Sequence, residues 1–119
     1  MAAILLAEDE RGVREFVSRA LERDGHHVTA VGDGVEALEA LSESGFDLLL
    51  TDIMMPEMDG IALALKVADS YPDLRVLMMT GYAHERQRAY NLDALIHDVV
   101  AKPFTLIQIR EATQNALNA

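Results

Sequence analysis

The stretch that decides the fold is Leu48-Leu49-Leu50-Thr51-Asp52-Ile53-Met54-Met55-Pro56-Glu57-Met58-Asp59-Gly60. Three consecutive leucines do not suit a strand with one face in water. A strand that is apolar at every position needs cover on both faces, as the strands of parallel sheets have. The run then stops on an aspartate, and Pro56 and Gly60 punctuate the segment beyond it. Asp47–Thr51 therefore reads as a buried strand and Asp52–Gly60 as a loop. The same alternation extends in both directions. Upstream lie a strand at Ala3–Ala7, a helix from Glu10 to Asp24 with Val13, Phe16, Val17, Ala20 and Leu21 at helical spacing, and a stop at Gly25. His27–Val31 is a second strand. A helix capped by Asp33 runs to about Ser44, with Val35, Leu38 and Leu41 inward, and Gly45 ends it.

Downstream, Ile61, Leu65 and Ala68 mark one face of a third helix that ends before Pro72. Leu74–Met79 is a fourth strand, and Ala83–Asn91 a weaker, more polar helix. Val99–Ala101 is a short fifth strand that could start as early as Leu95. Thr105 to Leu117 is a last helix, with Leu106, Ile109, Ala112 and Leu117 on one side. Strict β-α alternation of this kind predicts an α/β fold: a doubly wound, five-stranded parallel sheet with right-handed crossovers. Such sheets bind ligands outside the carboxyl ends of their strands.

At 119 residues the chain is expected to form a single domain over residues 1–119, with no output domain. Half of the residues are hydrophobic and a quarter charged, which is globular composition. Cysteine is absent, so disulfides, thiolate metal sites and cysteine nucleophiles are excluded. Apolar runs such as Ala2–Ala7 fall far below the roughly 18 residues of a membrane helix. Ten basic residues against twenty acidic ones give a net charge of −10, which disfavours nucleic acid and anionic membranes alike. His26 and His27 read as surface residues, and His84 and His97 lack ligand spacing.

A site at the strand ends would collect particular residues. Glu8, Asp9 and Glu10 follow the first strand, Asp52 the third, Thr80 the fourth, and Lys102 and Pro103 the fifth. Each has a bland reading: acids complementing a helix dipole, turn chemistry, or a solvated lysine before a helix. Their convergence from four segments favours another. Packed carboxylates repel one another unless a cation sits among them, and all-oxygen ligands suit Mg²⁺, Mn²⁺ or Ca²⁺. A hydroxyl and an ammonium beside that cation suit the oxygens of a phosphoryl group, and a carboxylate can accept one. Asp52 is the candidate nucleophile.

Glu8-Asp9, Leu50 through Gly60, Met79-Thr80-Gly81 and Ala101-Lys102-Pro103-Phe104 together resemble the receiver domain of two-component response regulators. The resemblance spans the whole chain. It implies a flavodoxin-like, CheY-like fold with strand order 2-1-3-4-5. It also implies phosphorylation of Asp52 by a histidine kinase or histidine phosphotransfer protein, with Mg²⁺ held by Asp9, Asp52, the Met54 carbonyl and, directly or through water, Glu8. Lys102 would pair with a phosphoryl oxygen, Thr80 would swing in to bond it, and Lys102-Pro103 would be cis. The Met54 side chain should overhang the site. The chain departs from the family's usual pattern at Glu8, where aspartate is commoner, and at Val99, where an aromatic switch residue is usual. Tyr82 is the available aromatic nearby, so Thr80, Tyr82 and Val99 form the expected switch group, with Arg86 close by.

Among receivers, Ile4 through Asp9, Ala20-Leu21-Glu22-Arg23, Leu48 through Ile53 and Thr80-Gly81-Tyr82-Ala83 are similar to stand-alone regulators of the CpdR type of alphaproteobacteria. That similarity implies a cytoplasmic switch, not an enzyme, acting by protein contact on substrate delivery to ClpX in the ClpXP protease, mainly when unphosphorylated. A chemotaxis-type or phosphorelay-intermediate receiver is the alternative. A haloacid-dehalogenase-like phosphatase ranks lower, because Met54 stands where that class has a second aspartate. A DNA-binding role ranks lower still, for want of a basic recognition helix.

Overall fold

The computed structural model describes residues 2–81 and 96–119. The strands are β1 (Ala3–Ala7), β2 (His27–Val31), β3 (Leu48–Asp52), β4 (Arg75–Thr80) and β5 (Asp98–Ala101). The helices are α1 (Arg11–Arg23), α2 (Gly34–Glu43), α3 (Gly60–Ser70) and α4 (Leu106–Asn118). All four strand pairings are parallel and the order is β2-β1-β3-β4-β5. The helix expected at Ala83–Asn91 lies outside the described residues, as do Tyr82, His84, Arg86 and Leu95.

β3 holds the centre of the sheet and is buried at every position, as its leucines require. Because side chains alternate along a strand, the sheet has two separate cores. Leu5, Leu49, Val76, Met78 and Val99 face Ala37, Leu41, Leu63, Ala64 and Val67 of α2 and α3. Ile4, Leu6, Leu48, Leu50, Leu77 and Met79 face Val17, Ala20, Leu21, Ile109 and Ala116 of α1 and α4. Local chemistry agrees with the element starts. Asp33 caps α2 through the Glu36 amide, Asp59 caps α3 through the Ala62 amide, and Thr105 with Gln108 forms a capping box on α4.

Four sequence expectations need correction. β3 and β4 each run one residue further, so Asp52 and Thr80 are the last residues of their strands and not the first of their loops. In α3 the buried stripe is Gly60, Leu63, Ala64 and Val67, and Leu65 is exposed. Small residues at Gly60 and Ala64 let the helix lie close to the sheet, which turns Leu65 to solvent. In α2 the inward residues are Gly34, Ala37 and Leu41, with Leu38 half-buried and Val35 exposed. Phe16 of α1 is also exposed, at 42%.

Candidate functional site

The carboxyl ends of β1, β3, β4 and β5 place the acids, the hydroxyl and the ammonium at one edge of the sheet. Three backbone bonds hold these ends together past the regular ladder. Glu8 N–H donates to Val31 O at 3.1 Å, Ile53 N–H to Met79 O at 3.2 Å, and Lys102 N–H to Thr80 O at 2.7 Å. The Lys102-Pro103 peptide bond is cis, the isomer implied by the family resemblance.

Lys102 lies between two carboxylates. Its Nζ donates to Glu8 Oε1 at 2.7 Å and to Asp52 Oδ2 at 2.9 Å. Asp52 Oδ1 accepts from the Ile53 amide at 2.8 Å, and Glu8 Oε2 from the Glu10 amide at 3.0 Å. Glu8 is completely buried and Asp52 is 7% exposed, while Asp9 is open to solvent. Carboxylate oxygens of Glu8, Asp9 and Asp52 all lie within 4.8 Å of one another. Thr80, 2% exposed, closes the end of β4 beside them.

Asp9, Asp52, Met54, Gly81 and Lys102 open onto a depression of about 920 Å³. Its other wall is apolar, built from Val13, Phe16 and Phe104, with the Phe16 and Phe104 rings 6.4 Å apart. Met54 lines the mouth and is 54% exposed. Val99, assigned to the switch group, is buried in the core shared with Met78 and Ile96. The aromatic wall escapes a reading of charges alone. Its signal is Phe104 directly after the Lys102-Pro103 pair.

Burial pushes the Glu8 carboxyl up to about 7, against the hydrogen bonds from Lys102 and the Glu10 amide, and the Asp52 charge adds to the rise. For Lys102, burial acts downward, but its hydrogen bonds to Glu8 and Asp52 and their charges outweigh it and raise the ammonium above its usual range. Glu8 follows its burial because it has no exposed surface, whereas the Lys102 side chain keeps 19%. A carboxyl that holds its proton up to about pH 7 when folded, but only to about 4.5 when unfolded, stabilises the fold at low pH. That contribution is lost as pH rises from about 4.5 through about 7. The thermal midpoint of the metal-free protein should therefore fall over this window, and Glu8→Gln should flatten the fall. Parallel melting curves of the two proteins against pH check this. Identical profiles would place the titration elsewhere.

A family model for the response regulator receiver domain matches residues 4–114. The chain belongs to the response regulator receiver family. It is 45% identical over 106 residues to the response regulator receiver protein CpdR of Brucella abortus, covering 89% of this chain and 88% of that protein. It is 37% identical to the response regulator MprA of Mycobacterium leprae, covering 89% of this chain but 46% of that one, so it spans about half of MprA. Among solved structures, the response regulator TrrA of Thermotoga maritima, in complex with Mg(2+)-BeF, superposes with a TM-score of 0.88 at 26% identity. That match covers 98% of this chain and 99% of TrrA. This receiver domain thus has the fold of a two-component signalling switch and is similar to CpdR. Among the described residues no helix is long and apolar enough to cross a membrane.

Proposed function

We propose that this receiver is a phosphorylation-gated binding switch in which Asp52 is the phosphoacceptor. The observation that carries this reading is the ammonium of Lys102 held between Glu8 and Asp52 at the base of an open depression that Asp9 also lines. An Asp52 carboxylate oxygen would attack the phosphorus of a phosphohistidine on a histidine kinase or phosphotransfer protein. The bond from phosphorus to the imidazole nitrogen would break, and the imidazole would leave. Lys102, already 2.9 Å from Asp52, is poised to pair with an oxygen of the incoming group. Thr80 supplies a hydroxyl on the same edge.

The donor set fits Mg²⁺. Glu8, Asp9 and Asp52 offer hard oxygen ligands, and the depression leaves room for waters and a phosphoryl oxygen. Asp9, Asp52 and the Met54 carbonyl would hold the ion, with Glu8 helping directly or through water. When bound, it neutralises the packed carboxylates and polarises phosphoryl oxygens. Residues 1–119 would act as one unit, meeting their partners in the cytoplasm. Similarity to CpdR over most of both chains supports an output by protein contact, with ClpX of the ClpXP protease as the proposed effector. Thr80, Tyr82 and Val99 would carry the change of state to that surface.

Incubation with acetyl phosphate and Mg²⁺ should add one phosphoryl group per chain. Retention of ClpX on the immobilised receiver should change when beryllium fluoride and Mg²⁺ are added. Sustained hydrolysis of phosphomonoesters would make the chain a phosphatase and overturn the switch reading.

A further inference from the structure

We propose that Arg14 is a positioning residue for the divalent-cation site, fixing the peptide that joins Glu8 to Asp9. This rests on the acidic cluster of Glu8, Asp9 and Asp52 being that site. Arg14 Nη1 donates to the backbone carbonyl of Glu8 at 2.9 Å. That carbonyl belongs to the peptide unit between one fully buried and one solvent-exposed carboxylate. Glu8 itself is held on every side. Its amide donates to Val31 O, its Oε1 accepts from Lys102, and its Oε2 accepts from the Glu10 amide. Asp9 has no such enclosure, so its direction relative to Glu8 depends on the rotation of the joining peptide.

Arg14 controls that rotation at two points. Its amide donates to Glu10 O at 2.9 Å, closing the first turn of α1, and its guanidinium holds the carbonyl on the other side of the same bend. The head group lies near the loop after β2, where a Cβ on Gly32 would be 3.7 Å from Nη1. Arg14 is half-buried, whereas Arg11, three residues earlier on the same helix, is exposed and pairs with Glu15 at 3.0 Å. The two arginines carry the same charge, but only Arg14 hydrogen-bonds the carbonyl of the acidic bend.

Electrostatics and positioning predict opposite signs. A guanidinium near the site repels a divalent cation, so removing it should tighten binding if its charge is what matters. If it aims Asp9, removing it should weaken binding, by about tenfold on the scale of residues that orient metal ligands. The test is calorimetric titration of the full chain with Mg²⁺ alone, for wild type, Arg14→Ala, Arg14→Lys and Arg11→Ala, with thermal unfolding of each metal-free protein followed alongside. The expected result is about tenfold weaker binding for Arg14→Ala. Arg14→Lys, which keeps a charged donor of similar reach, should recover most of the affinity, and Arg11→Ala should bind as tightly as wild type or tighter. Unchanged or tighter binding by Arg14→Ala, no recovery by lysine, or an equal loss in Arg11→Ala would each overturn the proposal. A wild-type chain that binds no Mg²⁺ would overturn the reading of the acidic cluster, and this inference with it.

Discussion

Asp52→Asn is expected to reduce phosphoryl incorporation from acetyl phosphate to the level of an unlabelled control. Three carboxylates meet at the site, and they differ in access and in hydrogen-bond partners. Glu8 has one oxygen on Lys102 and the other on the Glu10 amide, and no exposed surface through which a donor could reach it. Asp9 is exposed but lacks the ammonium that would steady the group being transferred. Asp52 combines access to the depression with a contact to Lys102 at 2.9 Å and an amide from Ile53 at 2.8 Å that orients its second oxygen. Asparagine keeps the size and planarity of that side chain but replaces a carboxylate oxygen with a weakly nucleophilic amide nitrogen and removes the charge. Folding should persist, which circular dichroism checks. Mass spectrometry of the intact chain reads the label, and undiminished labelling of the variant would move the acceptor role away from Asp52.

Gly60→Ala should produce the second large effect, on the fold and the site together. Gly60 opens α3 and donates its amide to Ile53 O at 2.8 Å, which draws the helix against the end of β3. A Cβ at this position would lie 2.0 Å from Asp52 O and 2.9 Å from Asp52 C. Both are backbone atoms and cannot rotate aside. The loop before it is already constrained, since Glu57 adopts a left-handed conformation with φ of 67°. Relief must come from moving α3 or the Asp52 peptide. The loss should reach about 3 kcal/mol, the upper part of the range for overpacking. For a chain of this size that lowers the thermal midpoint by about 10 °C. Labelling of Asp52 should also fall at temperatures where the variant is still folded, because the strand end carrying it has shifted. Gly45→Ala is the control, since nothing lies within 4 Å of a Cβ there. An unchanged midpoint for Gly60→Ala would show that the close approach does not constrain this helix.

Several of these features are legible in the chain itself and others are not. The leucines of β3 announce a strand buried on both faces, and the order of apolar runs announces a parallel sheet. Asp33 and Asp59 sit where helix caps should, and the structure uses both. The helix faces are a different matter. Ile61, Leu65 and Ala68 have helical spacing, and so do Gly60, Leu63, Ala64 and Val67. In a helix this apolar, periodicity alone cannot say which stripe meets the sheet. The close contact of Gly60 with the Asp52 peptide decides it, and that contact joins segments that sequence spacing does not align.

What the sequence by itself determined is which polar residues end the strands and that those ends share one edge of the sheet. Strand ends are local events, marked where an apolar run gives way to Glu8, Asp52, Thr80 or Lys102, and a parallel sheet brings all such ends to one side. What only the tertiary structure decided is how these residues contact one another and how deeply each is buried. Lys102 meets Glu8 from 94 residues away and Asp52 from 50, and the first of these contacts lies across a completely buried carboxylate. The high titration of Glu8, the apolar wall of Phe16 and Phe104, and the grip of Arg14 on the Glu8 carbonyl arise from that packing. Each depends on distances and dehydration in three dimensions, which residue type and spacing do not encode.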